Sequence, residues 1–191
     1  MIDRKKITDI ASGYDKKDLR VGVLASHSAL DVADGAIEEG LKTVLYCQRG
    51  REKTYARYFK SRREGGKVIR GIADECKVYE KFKEVATKKE QKTMVEDNVL
   101  FVPNRSFTSY VDIKAIEDEF MVPLVGSRNM LATEERGGKH DYYWLLEKAG
   151  LPFPEKIKKP ENIDELCIVK LHHAQKKLSA GFSLQQVMRS M

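Results

Sequence analysis

The hydrophobic pattern changes period in the middle of the run Leu19-Arg20-Val21-Gly22-Val23-Leu24-Ala25-Ser26-His27-Ser28-Ala29-Leu30. A short apolar stretch of strand type stops at Ser26-His27-Ser28. A helical stripe then begins, with Leu30, Ala33 and Ile37 on one face and Ser28 at the N-cap. This predicts the first strand, turn and helix of an open α/β sheet, with the helix ending near Gly40. An amphipathic lead-in helix is expected over residues 3–14, with Ile7 and Ile10 inward. Thr43-Val44-Leu45-Tyr46-Cys47 predicts a second strand, at a spacing that suits a right-handed crossover to a parallel neighbour. Asn98-Val99-Leu100-Phe101-Val102 has the pattern of a buried strand that stops at Pro103-Asn104-Arg105-Ser106. A helix is expected from about Val111 to Phe120, and then a brief strand, Pro123-Leu124-Val125, closed by Gly126-Ser127-Arg128. Between the second and third strands the pattern is weaker. Val68-Ile69 reads as a short strand, and 78–91 as a polar helix or an irregular insertion.

Three predicted strand ends therefore carry an imidazole, a hydroxyl or a guanidinium: His27, Ser106 and Arg128. If the strands are parallel, these groups meet on one edge of one sheet. There, ligands bind beyond the carboxyl ends of the strands and helix N-termini offer free N–H groups to anions. A phosphorylated small molecule suits that chemistry. The competing reading is that Ser26 and Ser28 only cap the helix while His27 sits in a loop.

The pattern shifts after residue 134. Glu134-Glu135-Arg136-Gly137-Gly138-Lys139 reads as a linker, and His140 to Ala149 as a helix stopped by Gly150, Pro152 and Pro154. A helical turn is expected over Asn162 to Leu166, before a strand Cys167-Ile168-Val169-Lys170. This places one domain over residues 1–136 and the opening of a second over 137–191.

Charge alters the picture in one place. Lys and Arg number 35 against 29 Asp and Glu in 191 residues, a net charge of +6. Residues 49–70 alone hold nine cations (Arg49, Arg51, Lys53, Arg57, Lys60, Arg62, Arg63, Lys67 and Arg70) against Glu52 and Glu64, so the rest of the chain is near neutral. With Tyr55, Tyr58 and Phe59 among them, these cations fit a nucleic-acid surface, a mobile basic loop over a phosphate-bearing substrate, or a solvated face. Cys47, Cys76 and Cys167 show neither metal-like nor disulfide-like spacing, which fits a reducing cytoplasm. The N-terminus leads into no apolar signal region and no apolar stretch approaches a membrane span. His172-His173 would point to opposite faces of a strand and cannot chelate one ion, so no metal site is expected. A hydrolase is disfavoured by the lack of a Gly-x-Ser-x-Gly elbow.

Six segments, in order, resemble one family. They are Ala25-Ser26-His27-Ser28-Ala29-Leu30, Gly50-Arg51, Val102-Pro103 with Ser106-Phe107, Met121-Val122-Pro123 with Gly126 and Arg128, Leu145-Leu146-Glu147-Lys148-Ala149-Gly150-Leu151, and Ile168-Val169-Lys170. The chain is similar to the archaeal formate-dependent FAICAR synthetases of purine (IMP) biosynthesis, members of the ATP-grasp superfamily. The resemblance implies an α/β fold: a Rossmann-like pre-ATP-grasp domain with a parallel sheet, followed by the start of an ATP-grasp domain. It implies a cytoplasmic ligase that joins formate to the amine of aminoimidazole carboxamide ribonucleotide (AICAR), using ATP and magnesium. Formate is first phosphorylated and the acyl phosphate is then attacked by the amine. By the same resemblance His27 and Ser106 are substrate-binding candidates and Lys170 the ATP-binding one, while Ser28, at the helix N-terminus, and Arg128, at a strand end, join the substrate-binding candidates by position. No catalytic residue and no metal ligand is assigned. The implied partners are AICAR, formate and ATP. No membrane is implied, nucleic acid ranks behind the small molecules, and a homo-oligomer is left open.

The chain departs from the family in several places. Asn104-Arg105 stand where members commonly show His-Gly, and Trp144 where they show lysine. Lys170 is followed by Leu171-His172-His173 instead of a glycine-rich loop. The chain stops at Met191, short of the carboxylates and amide that hold magnesium in the family, so the expectation is a polypeptide that does not turn over alone. Two rivals stand beside the ligase: a non-catalytic ribonucleotide-binding module, and a basic nucleic-acid-binding protein using residues 49–70.

Overall fold

The computed structural model describes residues 2–134, 140–154, 157, 159–164, 166–169 and the backbone of 183–185. It divides into two units, Met1–Leu131 and Ala132–Met191.

The first unit is a parallel sheet with helices on its faces. After α1 (Arg4–Ser12) come β1 (Arg20–Leu24), α2 (Ala29–Glu38) and β2 (Lys42–Gln48), as the apolar runs predict. A π-helical turn at Thr54–Tyr58 and an antiparallel hairpin, β3 (Arg62–Glu64) with β4 (Lys67–Arg70), then fill the basic segment. It is thus a folded excursion rather than a loop, and Val68-Ile69 is one of its strands. β5 (Glu75–Tyr79) follows, then a 3-10 turn at Phe82–Ala86, α3 (Lys88–Glu96) and β6 (Val99–Phe101). The order in the sheet is β5-β2-β1-β6, every neighbour parallel, and a parallel bridge from Phe101 to Leu124 extends it beyond β6.

Most of 78–91, read as a polar helix or an insertion, is the 3-10 turn and the start of α3, but β5, which ends at Tyr79, is a strand the pattern did not reveal. It is an edge strand with one ladder and no buried residue, so it carries Glu75 and Lys77 and shows no apolar run. Those charges join a network at the amino ends of the strands, where Arg20 meets Asp18 at 3.2 Å and Glu75 at 3.5 Å, and Lys77 meets Asp97 at 2.9 Å. The helix expected over 111–120 is present as α5 (Ile113–Asp118), and an unexpected helix, α4 (Arg105–Tyr110), precedes it. Each has its own N-cap, because the side chain of Asn104 accepts from the Phe107 N–H and that of Asp112 from the Ala115 N–H. Val111 between them is extended, which breaks the helix.

Alternation along the strands splits the core into two layers. Leu24, Val44, Tyr46 and Phe101 face α3, α4 and α5, and Val23, Leu45 and Cys47 face the small residues Ala29 and Ala33 of α2. Gly22 sits on the aromatic face, where a Cβ would lie 2.6 Å from Val99 Cγ1 and 2.9 Å from Tyr46 Cε2. Phe107 packs against Phe101 and Phe120, ring centroids 4.7 and 5.1 Å away, and so pins α4 to the sheet.

In the second unit α6 (Tyr142–Lys148) starts at Asp141, whose carboxylate accepts from the Trp144 N–H. The His140 ring lies 4.3 Å from that of Trp144. The helical turn expected over Asn162 to Leu166 falls earlier, at Pro160–Asn162, where proline suits the first helical position. β7 (Cys167–Val169) pairs antiparallel with β8 (Ser183–Gln185). Among the described residues no helix is long and apolar enough to cross a membrane.

Candidate functional site

The sheet order locates a crevice. From β1 the chain steps outward to β2 and β5, then returns to the other side of β1 as β6, so the direction of winding reverses between β1 and β6. The loops leaving the carboxyl ends of these two strands diverge there, and ligands of open α/β sheets bind at such a point. One loop is Ala25-Ser26-His27-Ser28 and the other is Val102-Pro103-Asn104, leading into Arg105 and Ser106.

Each loop is set by local hydrogen bonds. Ala25 N–H still donates to Tyr46 O and Val102 N–H to Gly22 O, so both strands hold their ladders to the last residue. Ser26 N–H then turns back to Leu24 O, and Ala29 N–H donates to Ser26 O at 3.1 Å. This tight turn puts His27 at φ 52, the left-handed region that a residue with a Cβ enters at a cost. His27 is exposed as a result, with Ser26 and Ser28 half-buried beside it. Ser28 occupies the N-cap of α2 but makes no side-chain cap. The capping role considered for it is absent, and its hydroxyl is left over. Ser106 lies in the first turn of α4, 7% exposed. Among the described residues the side chains of Ser26, His27, Ser28 and Ser106 make no hydrogen bond within the protein.

Asn104 is the opposite case. Its Nδ2 donates to Leu24 O and to Ser26 O, both at 2.9 Å, while its Oδ1 accepts from Phe107 N–H at 3.2 Å. It is 8% exposed. Reading the sequence did not single it out. The available signal was an N-cap residue placed directly after a buried strand and three before a phenylalanine.

The other candidates fall differently. Arg128 follows the Leu124 bridge at the same sheet edge, but its guanidinium donates to Ile116 O at 2.6 Å and to Val122 O at 3.0 Å. It thereby ends α5 with a cation, as the helix dipole favours, and ties that helix to the strand segment. Burial pushes its pKa down. Arg128 also lines a cleft of about 660 Å³ against Arg4, Ile7 and Thr8 of α1. The structure thus sets His27, Ser28 and Ser106 on the segments that leave the carboxyl ends of two adjacent strands and gives Arg128 two main-chain partners. Lys170, His172 and His173 lie outside the described residues. Among the described residues no group of three His, Cys, Asp or Glu side chains could hold a metal ion.

The basic segment leaves β2 at this same edge. Three of its cations face carboxylates: Arg49 with Glu80 at 2.5 Å, Arg62 with Glu64 at 2.9 Å and Arg63 with Asp74 at 2.7 Å. Arg57 lies over the Tyr58 ring.

The fold defines an open, parallel α/β protein whose polar residues His27, Ser28 and Ser106 stand at a topological switch point, the candidate ligand site. The chain belongs to the family described as "Protein of unknown function (DUF1246)", whose model matches residues 21–157. Its relatives include the 5-formaminoimidazole-4-carboxamide-1-(beta)-D-ribofuranosyl 5'-monophosphate synthetase of Methanopyrus kandleri, 38% identical over 176 residues, covering 92% of this chain and 45% of that one. The enzyme of the same name from Methanothermobacter thermautotrophicus is 34% identical over 175 residues, covering 91% and 44%. Among solved structures, an IMP biosynthesis protein PurP from Thermococcus kodakaraensis matches with a TM-score of 0.58 and 26% identity over 88% of this chain and 50% of that chain. The resemblance to the FAICAR synthetases and the α/β fold with a parallel sheet are both borne out. The chain spans less than half the length of the two named enzymes.

Proposed function

We propose that this chain is the ribonucleotide-binding part of an ATP- and formate-dependent ligase that converts AICAR to its formamido product in purine biosynthesis. The observation that carries the reading is the set of uncommitted side chains of His27, Ser28 and Ser106 at the switch point, on a chain whose relatives bear the synthetase name. Formate offers almost no binding surface, so recognition must fall on the two nucleotides. Hydroxyls and an imidazole can each donate and accept, which suits the phosphate, ribose and carboxamide of AICAR. Ser106 supplies a shielded contact and His27 an exposed one that a bound nucleotide would cover.

In this reading AICAR is held with its amine presented to the acyl phosphate of formate, and Lys170, next after β7, contacts ATP phosphate oxygens as a point charge. Magnesium would neutralise charge on the transferred phosphoryl group. The described residues hold no cluster fit to bind it, so no step here runs through the metal.

Calorimetry of the 191-residue chain with AICAR tests the reading. Saturable binding is expected, weakened by Ser106→Ala and His27→Ala each by about 1 kcal/mol or more if the bonds are shielded. Absence of AICAR binding would remove the ribonucleotide assignment and leave the fold alone.

A further inference from the structure

We propose that Asn104 is the positioning residue of the crevice, a single planar amide that fixes both of its walls before the nucleotide arrives. The proposal rests on the ribonucleotide reading above. Its geometry comes from the unliganded chain.

The chemistry of the three partners orients the amide. Two carbonyls, Leu24 O and Ser26 O, stand on one side and an N–H, that of Phe107, on the other, so the NH2 group must face β1 and the oxygen must face α4. Both N–H bonds of the amide are thereby committed, and the residue is buried. Asn104 therefore acts on a ligand through its neighbours and not by touching it.

Those neighbours are the two walls. Ser26 O is the carbonyl just before His27, whose left-handed backbone lies outside the regions that a histidine prefers. A tether on the residue before it opposes relaxation of the turn. On the other wall, the cap on Phe107 N–H sets the first turn of α4, where Ser106 sits, and the Phe107 ring is locked between Phe101 and Phe120. The contact residues of the two walls come from segments 80 positions apart. Without this amide, two hydrogen bonds that join the second loop to the first strand and its turn are lost. A ligand spanning the two loops would then have to order the gap itself, which weakens binding.

Two variants separate positioning from folding. Asn104→Ser keeps an N-cap oxygen for Phe107 but cannot span to β1. Asn104→Asp keeps shape and cap but turns an oxygen toward the two carbonyls. Both are expected to weaken AICAR by at least about tenfold in calorimetry, and to shift the His27 ring resonances of the unliganded protein, assigned by their loss in His27→Ala. The double variant of Asn104→Ser with His27→Ala should lose less affinity than the two single effects combined, because part of the Asn104 effect passes through His27. Met94→Ala, a core cut in α3, should lower the melting temperature yet leave AICAR affinity within about twofold. Unchanged AICAR affinity together with unmoved His27 resonances in both Asn104 variants overturns the proposal. If the parent chain binds no AICAR, the ribonucleotide reading fails by itself, and the His27 resonances alone decide whether Asn104 positions the turn.

Discussion

Arg63 grips Asp74 with both arms of its guanidinium, Nε to Oδ1 and Nη2 to Oδ2, each at 2.7 Å. Thr43 N–H donates to the same carboxylate at 3.0 Å and Ser61 Oγ donates to it as well. One aspartate, nearly buried, thus sews the basic hairpin to the amino end of β2 and to the segment entering β5.

That junction carries a pH dependence. Burial pushes the Asp74 carboxyl up, but the hydrogen bonds from Arg63, Ser61 and Thr43 outweigh it and hold its pKa below the ordinary 3.8. A carboxylate with a depressed folded pKa contributes stability that is complete above its unfolded pKa and is lost as pH falls through the folded one. Stability should therefore be level from pH 7 to about 5 and drop below about pH 4. Asp74→Asn should lose about 2 kcal/mol at pH 7, since it leaves Arg63 half-buried without its partner, and should flatten the acid limb. Urea melts at a series of pH values check both. Parallel acid limbs in parent and variant would show that Asp74 is not their source.

Gly22 is required by the ring of Tyr46. A Cβ there would stand 2.9 Å from Tyr46 Cε2 and 2.6 Å from Val99 Cγ1, inside van der Waals contact on the packed face of β1. Gly22→Ala is expected to cost about 1–3 kcal/mol by overpacking, read as a lower melting temperature. A variant as stable as the parent would mean that the aromatic layer can shift.

At His27 stability and binding should move in opposite directions. The left-handed backbone costs a histidine more than a glycine, so His27→Gly should raise stability by about 0.5–1 kcal/mol while weakening AICAR. His27→Ala keeps the strain and should gain nothing. Melting curves beside calorimetry test the pair, and a His27→Gly protein that melts lower than the parent contradicts the account.

The basic segment is expected to bind nucleic acid poorly. Nine cations against two carboxylates leave a surplus of seven in residues 49–70, but Arg49 and Arg63 face carboxylates outside that segment, so the surplus overstates the charge open to a polyanion. Tight binding to a phosphate backbone needs many unpaired cations and falls steeply with salt. Fluorescence anisotropy with single-stranded RNA at 50 and 200 mM salt should show no affinity tighter than about 10 μM at the higher value. Submicromolar binding with a steep salt slope would favour the nucleic-acid alternative.

Elements defined by neighbours in the chain were legible from the sequence. The switch from strand to helix period at Ser26-His27-Ser28, the apolar runs of β2 and β6, and the placement of His27 and Ser106 at strand ends follow from side-chain periodicity, which needs no distant partner. What the tertiary structure decided involves groups far apart in sequence. β5 is a strand because β2 offers it a ladder, not because its own residues are apolar. Arg128 serves the carbonyls of Ile116 and Val122 because α5 ends beside it. Asn104 looked like one more turn residue until β1 and β6 were set side by side and the carbonyls of Leu24 and Ser26 came within reach of its amide. Sequence determined which chemistry stands at the strand ends, because periodicity is local. Only the packed sheet decided which of those groups the fold consumes and which it leaves open, because hydrogen-bond partners are allotted by proximity in space.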